Sequence, residues 1–75
     1  MSENFRDYLI ALRDDPDLRD RLKKNPGETL ADARISKEEK LALRSGDLAA
    51  IKKALGGLEV PKGCAEVVGK LGRIA

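Results

Sequence analysis

The side chains in this 75-residue chain that could do chemistry are few. Cys64 is the single cysteine and there is no histidine, so no Ser/His or Cys/His pair can be assembled. The same absence removes a cysteine–histidine zinc set and any intrachain disulfide. Asp14, Asp15, Asp17 and Asp20 crowd carboxylates into one short stretch around Pro16. Negative charge at a helix N-terminus is a stability device worth about 0.3–1 kcal/mol, and that is how these aspartates read. Lys23-Lys24 and Lys52-Lys53, near helix ends, have the complementary explanation. No glycine-rich phosphate loop opens a helix. Cys64 lacks an activating base close by in sequence and reads as a small apolar residue. The expectation is a chain with no catalytic residue, no metal site and no cofactor of its own, hence not an enzyme.

The elements that would carry any other function are short helices with strong punctuation. Ser36 with Glu39 three residues on is a capping box, so a helix starts at Lys37. Gly46 ends it in a left-handed conformation, and Asp47 caps the next helix. In that helix Leu48, Ile51 and Leu55 fall on one stripe before Gly56-Gly57 terminates it. Upstream, Ser2 can cap a helix with Phe5, Tyr8, Leu9 and Leu12 at i, i+3, i+4 and i+7. Asp14-Asp15-Pro16 ends that helix, because proline disfavours helical geometry in the residue before it. Asp15 and Pro16 then start a second helix through Leu18 and Leu22, and Asn25-Pro26 repeats the device for a third through Leu30 and Ala33. No segment alternates as a strand would. The expected fold is all-α: a compact bundle of about five short helices over residues 1–57, followed by a flexible or extended C-terminal tail, 58–75.

That tail differs in kind from the body. Pro61 and glycines at 63, 69 and 72 argue against a stable helix, while Val60, Val67, Val68, Leu71 and Ile74 make it too apolar for a linker. An extended, bindable segment is expected; the alternative is a frayed sixth helix packing Val67, Val68 and Leu71 on the core.

Composition bounds the partners. Fifteen basic and thirteen acidic residues leave a net charge of +2, with one Phe, one Tyr and no Trp. Neither the electrostatic pull nor the stacking platforms of a nucleic-acid binder are supplied. No signal-peptide core and no membrane-spanning run is present, so a cytoplasmic address without membrane association is expected. A single core of this size supplies roughly 3–5 kcal/mol unless something completes it. Leu41 and Leu43, two positions apart, point about 200° from each other on a helix, so both cannot face one narrow core. A partner covering the surplus is expected. The partner face would combine Leu41 or Leu43 with part of the stripe Leu48, Ile51 and Leu55.

Residues Asp15-Pro16-Asp17-Leu18-Arg19-Asp20-Arg21-Leu22, then Asn25-Pro26, Ile35-Ser36-Lys37-Glu38-Glu39 and Leu43-Arg44-Ser45-Gly46-Asp47-Leu48-Ala49-Ala50-Ile51 resemble one family in order and spacing. It is the small helical subunit of class III extradiol ring-cleavage dioxygenases, the LigA-like domain. The resemblance covers roughly residues 5 to 55, with Ser-Gly-Asp-Leu its most specific part. It departs at Arg34, where the family usually has Gly before a Leu.

The same domain type is similar to the binding domain of split-borosin precursor peptides. Their C-terminal core is α-N-methylated by a separate S-adenosylmethionine-dependent methyltransferase. What this resemblance implies is a leader-like domain, 1–57, docking on the methyltransferase in a heteromeric complex with an enzyme dimer. A core peptide, 58–75, would be modified around Val67, Val68, Leu71 and Ile74. S-Adenosylmethionine would belong to the partner. The tail contains no Ser or Thr, which excludes lanthionine formation within it. A Cys64 thioether or thiazoline and a Lys62–Glu66 side-chain amide are the rival modifications. The dioxygenase resemblance implies instead a non-catalytic subunit at most bordering a substrate pocket, with the tail unassigned.

Overall fold

A computed structural model describes residues 2–74, apart from the side chain of Ser2. The expected cap at Ser2 therefore lies outside the described residues. Among these, all regular structure is helical: α1 Ser2–Asp14, α2 Pro16–Lys24, α3 Pro26–Asp32, α4 Lys37–Ser45, α5 Leu48–Ala54 and α6 Cys64–Leu71.

Most joints form as their residues dictate. The Asp15 carboxylate accepts from the N–H of Asp17 at 3.0 Å and of Leu18 at 3.3 Å, with Pro16 in the first turn of α2. The Ser36 hydroxyl accepts from Glu39 N–H at 3.1 Å, and Glu39 Oε1 accepts from Ser36 N–H at 2.7 Å, closing the capping box of α4. Gly46 at φ 68° ends α4, and Asp47 caps α5 by accepting from Ala49 N–H. The joint at Asn25 is built differently from its neighbour. Pro26 does start α3, but the Asn25 side chain makes no cap bond. Its backbone N–H instead closes α2 onto the Arg21 carbonyl, which also accepts from the Thr29 hydroxyl at 3.0 Å.

The C-terminal segment corrects the expectation of a flexible or extended tail. Residues 58–61 have no regular secondary structure, and Cys64–Leu71 is a helix. Three of the four punctuating residues lie outside it. Pro61 precedes it, Gly63 at φ 86° is its N-cap and Gly72 at φ 62° its C-cap. Only Gly69 sits within, at a cost of about 1 kcal/mol relative to alanine. Cys64, Val68 and Leu71, at i, i+4 and i+7, form one buried stripe that outweighs that cost.

This stripe is part of the main core. Cys64, Val68, Leu71 and Ile74 belong to one hydrophobic cluster with Phe5, Leu9, Leu12, Leu22, Leu30, Ala42, Leu43, Ile51 and Leu55. The helix packs against both α1 and α5, while α1 also packs on α2 and α5 on α4. It thus joins the N-terminal helices to the α4–α5 hairpin. Gly57 marks a break in secondary structure within one packed body.

Candidate functional site

The residues expected to be modified are the ones α6 folds away. Val68 is 2% exposed, Leu71 9% and Ile74 7%, with Val67 half-buried. Their amides are engaged too. Val67 N–H donates to Gly63 C=O at 3.3 Å, Gly72 N–H to Val68 C=O at 3.0 Å, and Ile74 N–H to Arg44 C=O at 2.8 Å. The N–H groups of Val68 and Leu71 lie inside the turns of α6. In the closed molecule each of these N–H groups is already engaged.

The expected partner face is divided as well. Leu43, Ile51 and Leu55 are in the core, so they form no free surface. Helix α5 packs against both α4 and α6, and Ile51 and the C-cap residue Leu55 lie in the core. Leu41 is the large apolar side chain of α4 that is exposed, at 60%, on the side of the helix away from Leu43. It stands between two shallow clefts. One, of about 400 Å³, is lined by Ala42, Ala50, Lys53 and Ala54. The other, of about 500 Å³, is lined by Arg44, Asp47, Arg73 and Ile74. Leu48 is half-buried and lines a separate cleft of about 550 Å³ with Leu58, Val60 and Pro61. The residues grouped by sequence therefore fall into a core set and two distinct surface positions.

Two arginines that the sequence does not single out hold joints between elements, Arg13 before α6 and Arg19 at the end of α1. Arg13 Nη1 donates to the Lys62 carbonyl at 2.7 Å, fastening the turn before α6 to the end of α1. The same guanidinium pairs with Asp14, Nε to Oδ1 at 2.8 Å. That hydrogen bond, with the attraction of the two charges, holds the Asp14 carboxyl below its ordinary pKa and the Arg13 guanidinium above its own. Arg19 Nη1 donates to the carbonyls of Leu12 and Arg13, both at 2.7 Å, satisfying carbonyls in the last turn of α1. Arg13 lies far from Lys62 in sequence and Arg19 reaches back past the turn to α1, so neither follows a local capping pattern that sequence alone would show.

Cys64 is buried under α1, and desolvation raises its thiol pKa, opposed by Arg13. A thiol so placed is a poor nucleophile in the closed molecule. Tyr8 lines a cleft of about 270 Å³ between α1, α2 and α3 with Arg21, Glu28 and Asp32. Its buried hydroxyl has no protein partner, and desolvation raises its pKa against the pull of Arg21. The cleft has room for the water such a group calls for. Among the described residues no group of three His, Cys, Asp or Glu side chains is placed to hold a metal ion. No described helix is long and apolar enough to cross a membrane. No protein-family model matches the chain, and neither a curated protein nor a solved structure matches it.

Proposed function

We propose that the chain is a precursor peptide. Its helical body docks on an S-adenosylmethionine-dependent methyltransferase, and its C-terminal segment is the substrate for backbone N-methylation. The observation that carries this reading is the ordered series of caps from Asp15 to Asp47, followed by Gly56-Gly57 and an apolar segment without hydroxyl side chains. The exposed Leu41, with a cleft on either side, is the docking position in this reading.

The chemistry asks little of the tail's side chains. An amide nitrogen is a poor nucleophile because its lone pair is delocalised into the carbonyl. In the transfer the nitrogen loses its proton to a base on the enzyme and forms an N–CH3 bond. The S–CH3 bond breaks and the sulfonium leaves as a neutral thioether. Positioning can contribute up to about 7–11 kcal/mol to such a step. The body supplies binding energy away from the reacting atoms and keeps a weakly held tail at high effective concentration.

The folded α6 is the resting state in this reading, and the enzyme takes the tail from an opened form. If only a fraction of molecules is open, apparent affinity for the tail falls by that fraction, and docking of the body offsets the loss. A second reading is favoured by the burial of Cys64, Val68, Leu71 and Ile74 in the shared core. In it α6 stays closed and the chain is a permanent non-catalytic subunit beside an extradiol dioxygenase. Calorimetric titration of the full chain into each candidate enzyme separates the two. Binding to the methyltransferase, lost on Leu41→Asp, is the expected result. Binding to the dioxygenase catalytic subunit alone overturns the precursor reading.

A further inference from the structure

The turn after α4 does more than redirect the chain. At φ 68° Gly46 suits that turn, but its missing Cβ has a second use. A Cβ there would collide with the carbonyl group of Gly72 and come within 2.8 Å of the Arg73 nitrogen. The C-terminal backbone therefore lies directly on the turn. It is held by the bond from Ile74 N–H to the carbonyl of Arg44, at the α4 end where carbonyls lack partners within the helix. The Ile74 side chain, 7% exposed, completes the contact. Gly72 makes the approach possible. At φ 62° and ψ −154° it occupies a region essentially restricted to glycine and swings the chain from α6 towards α4.

We propose that residues 72–74 are a latch, that the Ser45-Gly46 turn is its receptor, and that this latch sets how often the amides of α6 are released. The latch stands independently of any modification. Its consequence, that a methyltransferase draws on the unlatched form, rests on the precursor reading.

Residue-resolved amide hydrogen exchange on the full chain tests it without any enzyme. The space around Gly72 is open, so Gly72→Ala acts only through backbone conformation. Exchange at Val68, Leu71 and Ile74 is expected to rise at least tenfold, with Leu12, Leu22 and Leu30 changed less than threefold. An unchanged Ile74, or an equal rise at all six amides, overturns the latch. Gly46→Ala and Ile74→Ala supply a second measurement, because both loosen the same contact. Their combined effect on the unfolding equilibrium should fall at least fivefold short of the product of the single effects. A full product overturns the proposal. Methyl transfer is read in neither experiment, so a failed precursor reading would leave these results standing.

Discussion

The backbone N–H of Ile74 donates to the carbonyl of Arg44 over 2.8 Å, tying the last described residue to the final turn of α4. The C-terminal segment is thus fastened at both ends, by Arg13 on Lys62 before α6 and by Arg44 on Ile74 after it. Those ties hold α6 against the rest of the core.

A chain truncated after Gly57 should keep most of its helix but melt at a clearly lower temperature. Burial of Val68, Leu71 and Ile74 contributes about 1.5–3 kcal/mol each, and the conformational entropy of the residues no longer ordered offsets part of that loss. Circular dichroism melts should show the shift, reversed when an enzyme that binds the folded body is added. An unchanged melt would mean that α6 is dispensable, and loss of most helix would mean that α6 cannot open without unfolding the body.

Leu41 and Leu43 should respond oppositely to the same substitution. Leu43→Asp buries an unpaired charge and should unfold the domain. Leu41→Asp should change stability by no more than about 0.5 kcal/mol, as surface substitutions do, while weakening enzyme docking at least tenfold. Thermal melts and titration calorimetry read the two effects. Unchanged docking by Leu41→Asp would remove α4 from the interface.

Cys64 reports on the closed state. Its burial and raised thiol pKa predict slow alkylation of the folded chain at neutral pH. Gly72→Ala should speed labelling at least tenfold by opening α6. Equal rates in the two proteins would show that the thiol is reached without that opening.

Tyr8 predicts an alkaline limb in the stability profile. Its folded pKa lies above the ordinary value of 10.0, so its contribution is fully present below pH 10 and is lost as pH rises through the folded value. Tyr8→Phe should flatten that limb. At neutral pH the substitution should change stability little, because the hydroxyl has no partner among the described residues to lose. Urea melts between pH 7 and pH 11 check both.

The body of the fold was legible because its signals are local. Asp15, Pro16, Ser36, Glu39, Gly46 and Asp47 each act within three residues of themselves. The C-terminal helix was legible only as the alternative to an extended tail, because Pro61, Gly63 and Gly72 flank Cys64–Leu71 and read in sequence as interruptions of it. The face of α4 was half legible. Angular separation distinguishes Leu41 from Leu43, but only the position of α5 decides which one is buried. Likewise Leu9 and Ile10 both find cover because α1 has neighbours on two sides, α2 and α6.

Methylation and closure of the tail should oppose each other. An N-methyl group on Val68 or Ile74 removes the donor that closes α6 or the bond to Arg44, as proline does in a helix. The methylated chain should therefore show faster exchange in residues 64–74 than the unmodified one. Identical exchange would mean that the modified tail still folds back.

The most direct measurement is fragment mass spectrometry of the chain co-expressed with an active S-adenosylmethionine-dependent methyltransferase that it binds. The precursor reading predicts added mass in single-methyl steps, placed by fragments on backbone nitrogens between Val67 and Ile74. It also predicts that modification falls when Leu41→Asp weakens docking. An unmodified tail in that complex, or methyl groups found only on Lys70 or Cys64, would contradict it.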